Sequence, residues 1–394
     1  MPGTQIKNDL EPFFPTKLVR ELLTIAFLRT IHCCPFKRIE QHYEHSHISN
    51  VFSNLSLGSS SITVFLQELG DRREDMVNFM KSRVSTNKHI LFDGTNILTS
   101  SKKAPNSQKG KKSRNTKYNE LNLLYAFNYE DNCPEYYRLL PGNIVDVTSF
   151  KNAIEESQIT NAIIVADKGF SSNENLSLLE EASLKYVMPL KRNNKALDVE
   201  RLKTNDKTTF DGQFIYNDRA IWFFKREYNN RFVHTYIDES LKTEEEKDYL
   251  TRINNNYNGY SMESFQKKQY TFGVILLITN INEDSKHIYE TYKTRGVIEE
   301  SFDHYNNLIG QDKSYMQSDV AMEAWAFINH ISMQFVYSMS NKIKKANLTS
   351  KYSTKDLVEH LRYVKTLKIN GEWKIGEITQ KTYALLSKLG TPIV

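Results

Sequence analysis

The sequence predicts a mixed α/β fold, a central sheet interrupted by a β-rich insertion and flanked by helical N-terminal and C-terminal regions. Three observations carry that expectation. Apolar runs at residues 90–92 and 162–166 are short and continuous, the pattern of strands buried on both faces. Segments of helical period alternate with them. Between residues 193 and 270 the alternation gives way to short aromatic pieces joined by charged, Asn-rich connections.

Taken in order, residues 16–32 put Leu18, Leu22, Ile25, Leu28 and Ile31 at helical spacing. Ser59, Ser60 and Ser61 offer N-caps to a second helix, with Ile62, Phe65, Leu66 and Leu69 as its stripe and Gly70 as its stop. A third helix spans about 71–83. Such helices suit either a DNA-contacting helix-turn-helix or a small bundle. The first strand is read as ending at Asp93, ahead of Gly94-Thr95-Asn96. Two more, at 121–127 and 136–140, flank a turn at Asp131-Asn132. Asp146 or Thr148 caps a helix to about Ser157, and the strand at 162–166 again closes on an acid, Asp167. A helix over 173–182 leads to the strand Tyr186-Val187-Met188. The insertion holds strand-like pieces at 214–216, 221–224 and 232–236. A strand at 272–279 and a helix over 285–308 resume the core, and a helix over 318–344 follows. Asn370-Gly371 then turns a hairpin between 367–369 and 373–375. The expected divisions are a helical region 1–85, a core of 86–192 with 271–310, an insertion 193–270 and a mainly helical 311–394.

The 394 residues suffice for two to three folding units, and 39% hydrophobic with 25% charged residues excludes wholesale disorder. Three cysteines, Cys33, Cys34 and Cys133, make no disulfide framework. No apolar run reaches the roughly 18 residues of a membrane span, and the N-terminus carries no export signal, so a cytoplasmic protein without a membrane partner is expected.

The net charge of +5 is unevenly placed. Between Ser101 and Lys117 stand seven cations, Lys102, Lys103, Lys109, Lys111, Lys112, Arg114 and Lys117, with no acid among them. Without that segment 45 cations face 47 acids. The stretch is rich in Ser, Asn, Gly and Pro, a composition expected not to order by itself, and suits either a phosphate chain or the role of a solvated linker.

Asp93 and Asp167 each stand where the chain is expected to leave the sheet, the edge at which open α/β sheets bind ligands. Clustered carboxylates there need compensation, and a hard divalent cation supplies it. On a continuous helix over 285–308, Tyr292, Arg295 and Glu299 share one face, while Ile298, Phe302 and Tyr305 form an adjoining apolar stripe. Glu299 is therefore preferred over Glu300 and Asp303 as a third acid. His42, His45 and His47 with Cys33 and Cys34 lack a paired zinc spacing. Trp222 fits a β core better than a base-stacking platform.

Phe92-Asp93-Gly94-Thr95, Ala166-Asp167-Lys168-Gly169-Phe170, the segment Met188-Pro189-Leu190-Lys191-Arg192, and Tyr292-x2-Arg295-x3-Glu299 together resemble the signature of DDE transposases of bacterial insertion sequences, over about residues 85–310. The resemblance implies an RNase H-like core in which Asp93, Asp167 and Glu299 hold two divalent ions, Mg²⁺ with Mn²⁺ as a substitute. It implies phosphate contacts from Tyr292, Arg295, Lys168, Lys191 and Arg192, beside the cations Lys109, Lys111, Lys112 and Arg114. It further implies metal-dependent cleavage at terminal inverted repeats, strand transfer into double-stranded target DNA and a homodimer in the DNA complex. Two positions depart from the family pattern: the usual Lys seven residues past the Glu is Asn306, which donates a hydrogen bond without charge, and the residue after the Arg is Gly296. A nuclease that cuts without joining, and a derivative that binds DNA without catalysis, are the alternatives.

Overall fold

A computed structural model describes residues 2–110, 117–143, 146–204, 206–303, 310, 313–370 and 372–391. The strands are β1 (His89–Thr99), β2 (Asn119–Asn128), β3 (Cys133–Pro141), β4 (Ile163–Ala166), β5 (Lys185–Pro189), β6 (Gly212–Tyr216), β7 (Arg219–Tyr228), β8 (Arg231–Asp238), β9 (Val274–Thr279), β10 (Lys313–Ser314), β11 (Thr366–Ile369) and β12 (Glu372–Ile375). They fall into two compact units.

One unit comprises residues 1–85, 93–159 and 297–394. Its axis is the 27-residue helix Asp319–Lys345, which buries Trp325, Phe327, Ile328 and Ile331. That helix packs on the helices Thr16–His32 and Ser59–Gly70 and on β3. A Cβ at Gly70 would lie 2.0 Å from the Val320 carbonyl oxygen, so the close crossing depends on glycine. β2 and β3 pair antiparallel from Leu121↔Pro141 to Asn128↔Cys133, around a turn in which Asn132 takes φ 49°. The Tyr125 hydroxyl and His330 Nδ1 meet at 3.1 Å in the buried layer between β2 and the long helix. β10 joins the far end of β1 in parallel, at Leu98↔Lys313.

The other unit comprises residues 86–92 and 160–296, with strand order β1-β4-β5-β9-β8-β7-β6. β1, β4 and β5 are parallel, and their apolar residues Ile90, Leu91, Phe92, Ile164, Val165, Ala166 and Val187 are fully buried. From β5 onward pairing is antiparallel: β9 bonds β5 at Val187↔Thr279 and β8 at Phe232↔Thr279. The insertion therefore extends this sheet instead of forming one of its own. Its inner face packs Phe214, Ile221, Tyr236 and Leu277 against Ile288 and Tyr289.

The insertion and the helix expected over 285–308 differ from the sequence expectation. The insertion carries a 16-residue helix, Glu239–Asn254, N-capped by Asp238, whose carboxylate accepts from the Leu241 N–H and pairs with Arg219 at 3.2 Å. Only Tyr249 of that helix is buried, so it has no apolar stripe for a periodicity reading to find. The helix expected over 285–308 is two helices, Ser285–Lys293 and Gly296–Asp303. At the break, Thr294 Oγ1 donates to the Thr291 carbonyl at 2.7 Å and the Arg295 N–H reaches back to the Tyr292 carbonyl at 3.1 Å. A β-branched residue bonding its own preceding turn, followed by glycine, is weak material for continuing a helix.

Candidate active site

β1 does not end at Asp93; it runs on to Thr99, with Asp93 half-buried in mid-strand. What singles the residue out is register. Phe92 pairs with Ala166 in the parallel β1–β4 ladder, and the next residue in each strand sequence is an aspartate, Asp93 or Asp167. Asp93 Oδ1 accepts the Gly94 N–H at 2.8 Å. Asp167 is the last extended residue before the turn Lys168–Phe170, and its carbonyl accepts the Phe170 N–H at 2.9 Å. Lys168 projects into solvent one residue later.

Arg295 Nη2 lies 3.8 Å from Asp167 Oδ1. Tyr292 packs part of its ring on the cluster around Tyr289 and Leu277, so it has a structural role beside any contact with a ligand. The helix break removes the single-helix geometry that would have stacked Tyr292, Arg295 and Glu299. Glu299 is solvent-exposed on the helix Gly296–Asp303. Its neighbour Ile298 is fully buried and Phe302 meets the Tyr125 ring edge-on at 6.3 Å, as the expected apolar stripe requires. Tyr305 and Asn306 lie outside the described residues.

Lys191 is exposed. Arg192 is committed internally: its Nη1 and Nη2 bind the two oxygens of Glu245 at 2.7 and 2.9 Å, and Nε donates to the Val274 carbonyl at 2.7 Å. A guanidinium so used fastens β9 to the insertion helix and has little left to offer a phosphate.

The basic segment is more ordered at its start than its composition suggests. Ser101 Oγ accepts from the Ala104 N–H at 3.1 Å, Ser107 Oγ donates to the Ser101 carbonyl at 2.8 Å, and Gln108 and Glu120 exchange backbone hydrogen bonds at 3.2 and 2.7 Å. Lys102, Lys103 and Lys109 stand exposed on this pinned turn. Lys111, Lys112 and Arg114 lie outside the described residues. A second basic segment escaped the sequence reading although the same count reveals it: residues 342–394 hold eleven Lys and Arg against four acids.

The candidate donors, carboxylate oxygens from Asp93, Asp167 and Glu299, are of the class that hard divalent cations take. Two of them follow residues paired in adjacent parallel strands. Among the described residues, no three His, Cys, Asp or Glu side chains stand together as a metal-holding group. Also among the described residues, no helix is long and apolar enough to cross a membrane.

The family described as "Transposase DDE domain" matches residues 85–335. Among solved structures, the chain is similar to a piggyBac transposase in a synaptic complex with hairpin DNA. That alignment has 11% identity and a TM-score of 0.50, and covers 88% of this chain and 70% of that one. A Mos1 transposase paired-end complex with the left transposon end aligns at 11% identity and a TM-score of 0.19, over 72% of this chain and 75% of that one. No curated protein matches the sequence.

Proposed function

The chain belongs to the DDE transposase family, a family of RNase H-like DNA transposases that cleave and join DNA with divalent metal ions, and from that premise we propose that Asp93, Asp167 and Glu299 are its catalytic carboxylates. The observation that carries the reading is the Phe92↔Ala166 register, after which both strand sequences continue with an aspartate. Glu299 is the third member, on a helix seated by Ile298 and Phe302.

Two divalent ions, Mg²⁺ or Mn²⁺, bound by these carboxylates would activate the attacking oxygen and offset charge on the attacking and leaving oxygens of an in-line displacement. The chain's own cations hold the DNA. Arg295 and Lys168 flank Asp167 and bind the phosphates beside the scissile bond, Tyr292 offers its hydroxyl to the backbone, and Lys191 and Asn306 extend the track. Lys109, Lys111, Lys112 and Arg114 bind the flanking duplex. Terminal inverted repeats and a target duplex are the substrates, held by a homodimer that pairs two ends. A bacterial insertion sequence and a cytoplasmic, nucleoid-associated location complete the reading, in keeping with three free thiols.

The test incubates the purified protein with duplexes carrying the sequences that flank its gene, with Mg²⁺ or Mn²⁺. End cleavage and a strand-transfer product are expected, and both are lost in Asp93→Ala, Asp167→Ala and Glu299→Ala. Cleavage that survives those substitutions refutes the site; cut ends without joined product reduce the enzyme to a nuclease.

A further inference from the structure

We propose that the C-terminal segment, residues 342–391, is a second duplex-DNA contact surface, with the β11–β12 hairpin entering a groove and the surrounding lysines gripping phosphates on either side. This rests on the reading of the chain as a DNA transposase and adds to it a surface outside the carboxylate site.

Residues 342–394 carry a net +7, more than the whole chain's +5. Among the described residues, the ion pairs in this segment are Arg362 with Glu359 and Lys374 with Glu372, each within one helix or hairpin. Among the described residues, the exposed Lys344, Lys351, Lys355, Lys365 and Lys388 make no ion pair, and the exposed Lys381 faces one acid, Asp356, whose carboxyl it helps hold below its usual range. A surplus of this size, with these six lysines exposed, suits a polyanion.

The charge sits on a built scaffold. Ile343, Leu348, Leu357, Leu385, Leu386 and Leu389 form a separate apolar cluster. The helix Thr354–Tyr363 starts in a capping box between Ser353 and Asp356, and His360 Nδ1 meets Thr382 Oγ1 of the helix Gln380–Lys388 at 2.8 Å. Arg362 Nε donates to the Ile31 carbonyl, tying the segment to the helix Thr16–His32. Lys381 and Lys388, two turns apart, share one face of their helix, while Thr382, Leu385, Leu386 and Leu389 are buried.

Among the described residues, β11 and β12 pair only with each other, with Leu367 opposite Lys374 and Ile369 opposite Glu372. Leu367 is 52% exposed and Ile369 46%, two residues apart and so on one face. Tyr363, three residues before β11, is 71% exposed, and Tyr383 on the helix Gln380–Lys388 is 56% exposed. A two-stranded ribbon fits a DNA groove, apolar side chains on it can wedge against base edges, and lysines at its base reach the backbone. A face for a second copy of this chain would carry the apolar residues without an uncompensated +7, since two such faces repel.

The test uses full-length protein and a duplex in EDTA, so that catalysis plays no part. Replacing Lys365, Lys381 and Lys388 with Gln, all solvent-exposed, is expected to lower the slope of log affinity against log salt by about 2.7, at about 0.9 per lost phosphate contact. Leu367→Ser with Ile369→Ser is expected to weaken binding several-fold and leave that slope in place. An unchanged slope in the lysine variant overturns the proposal. So does a change of oligomeric state by sedimentation with DNA affinity intact, which makes the surface a protein interface. Cleavage assays on the same variants at saturating DNA keep the two readings apart. A lowered slope in a protein that never cuts DNA supports this surface while refuting the catalytic assignment.

Discussion

Arg295 Nη2 stands 3.8 Å from Asp167 Oδ1, with side-chain exposures of 21% and 35%. At that exposure an ion pair contributes about 0–1 kcal/mol to folding, so its value lies in what the charge does to the site. The guanidinium partly neutralises a carboxylate that follows the fully buried Ala166. Arg295→Ala should therefore shift the melting temperature by no more than about 4 °C and lower DNA cleavage at least tenfold. Arg295→Lys keeps the charge without the planar fork and should fall between the two. A variant that melts far lower while its folded fraction cuts normally assigns the arginine to the fold.

Metal binding offers a readout independent of DNA cleavage. A ligand that binds only the folded state stabilises it by RT ln(1 + [L]/Kd), about 2.7 kcal/mol at a hundredfold excess over Kd. Millimolar Mn²⁺ should raise the melting temperature of the wild type by several degrees, and this rise should vanish in Asp93→Asn and Asp167→Asn. Both amides should melt within a few degrees of the wild type without metal, because the Arg295 pair that Asp167→Asn breaks contributes only about 0–1 kcal/mol. Equal metal stabilisation in all three proteins places the ion elsewhere.

The two aspartates were legible because the chemistry of a buried parallel strand is written locally: Ile90-Leu91-Phe92 and Ile163-Ile164-Val165-Ala166 tolerate no polar residue, so the acid that ends each run stands out. The continuation of β1 to Thr99 was not legible, since Gly94-Thr95-Asn96 reads as a turn and is held extended by neighbours distant in sequence, as where Asn96 Nδ2 donates to Glu120 Oε2 at 3.1 Å. Helical spacing aligned Tyr292, Arg295 and Glu299, but spacing assumes an unbroken helix. The break at Thr294 and Arg295 separates the last of them from the first two. The helix Glu239–Asn254 was invisible for the opposite reason: Tyr249 alone is buried on it, and a helix with so little in the core writes no apolar period.

The basic segment after β1 should act on affinity through charge alone. Replacing Lys109, Lys111, Lys112 and Arg114 with Gln should lower the salt slope of duplex binding by up to about 3.6, at about 0.9 per phosphate contact. The loss should be uniform across DNA sequences, because phosphate contacts carry no base information. A slope that does not move returns the segment to the role of a linker.

His330 gives the fold a pH dependence with a definite sign. It is fully buried, with its Nδ1 at 3.1 Å from the Tyr125 hydroxyl and its Nε2 at 3.4 Å from Gln334 Nε2. Burial, aided by Arg83 and Arg73, pushes its pKa down from 6.5 to about 3. The unfolded chain takes up a proton near pH 6.5 and the folded chain does not. The stabilisation is therefore complete above about pH 6.5 and is lost as pH falls towards about 3, at up to about 1.4 kcal/mol per pH unit. His234, pushed down to about 4 by burial, acts in the same direction. Urea unfolding between pH 7.5 and 5 should show a falling free energy whose slope is shallower by about one proton in His330→Gln. The variant should start from lower stability at pH 7.5, because the amide fills the imidazole's place incompletely. An unchanged slope means that the histidine is already charged in the folded protein, and the neutral Tyr125–His330 hydrogen bond is then wrong.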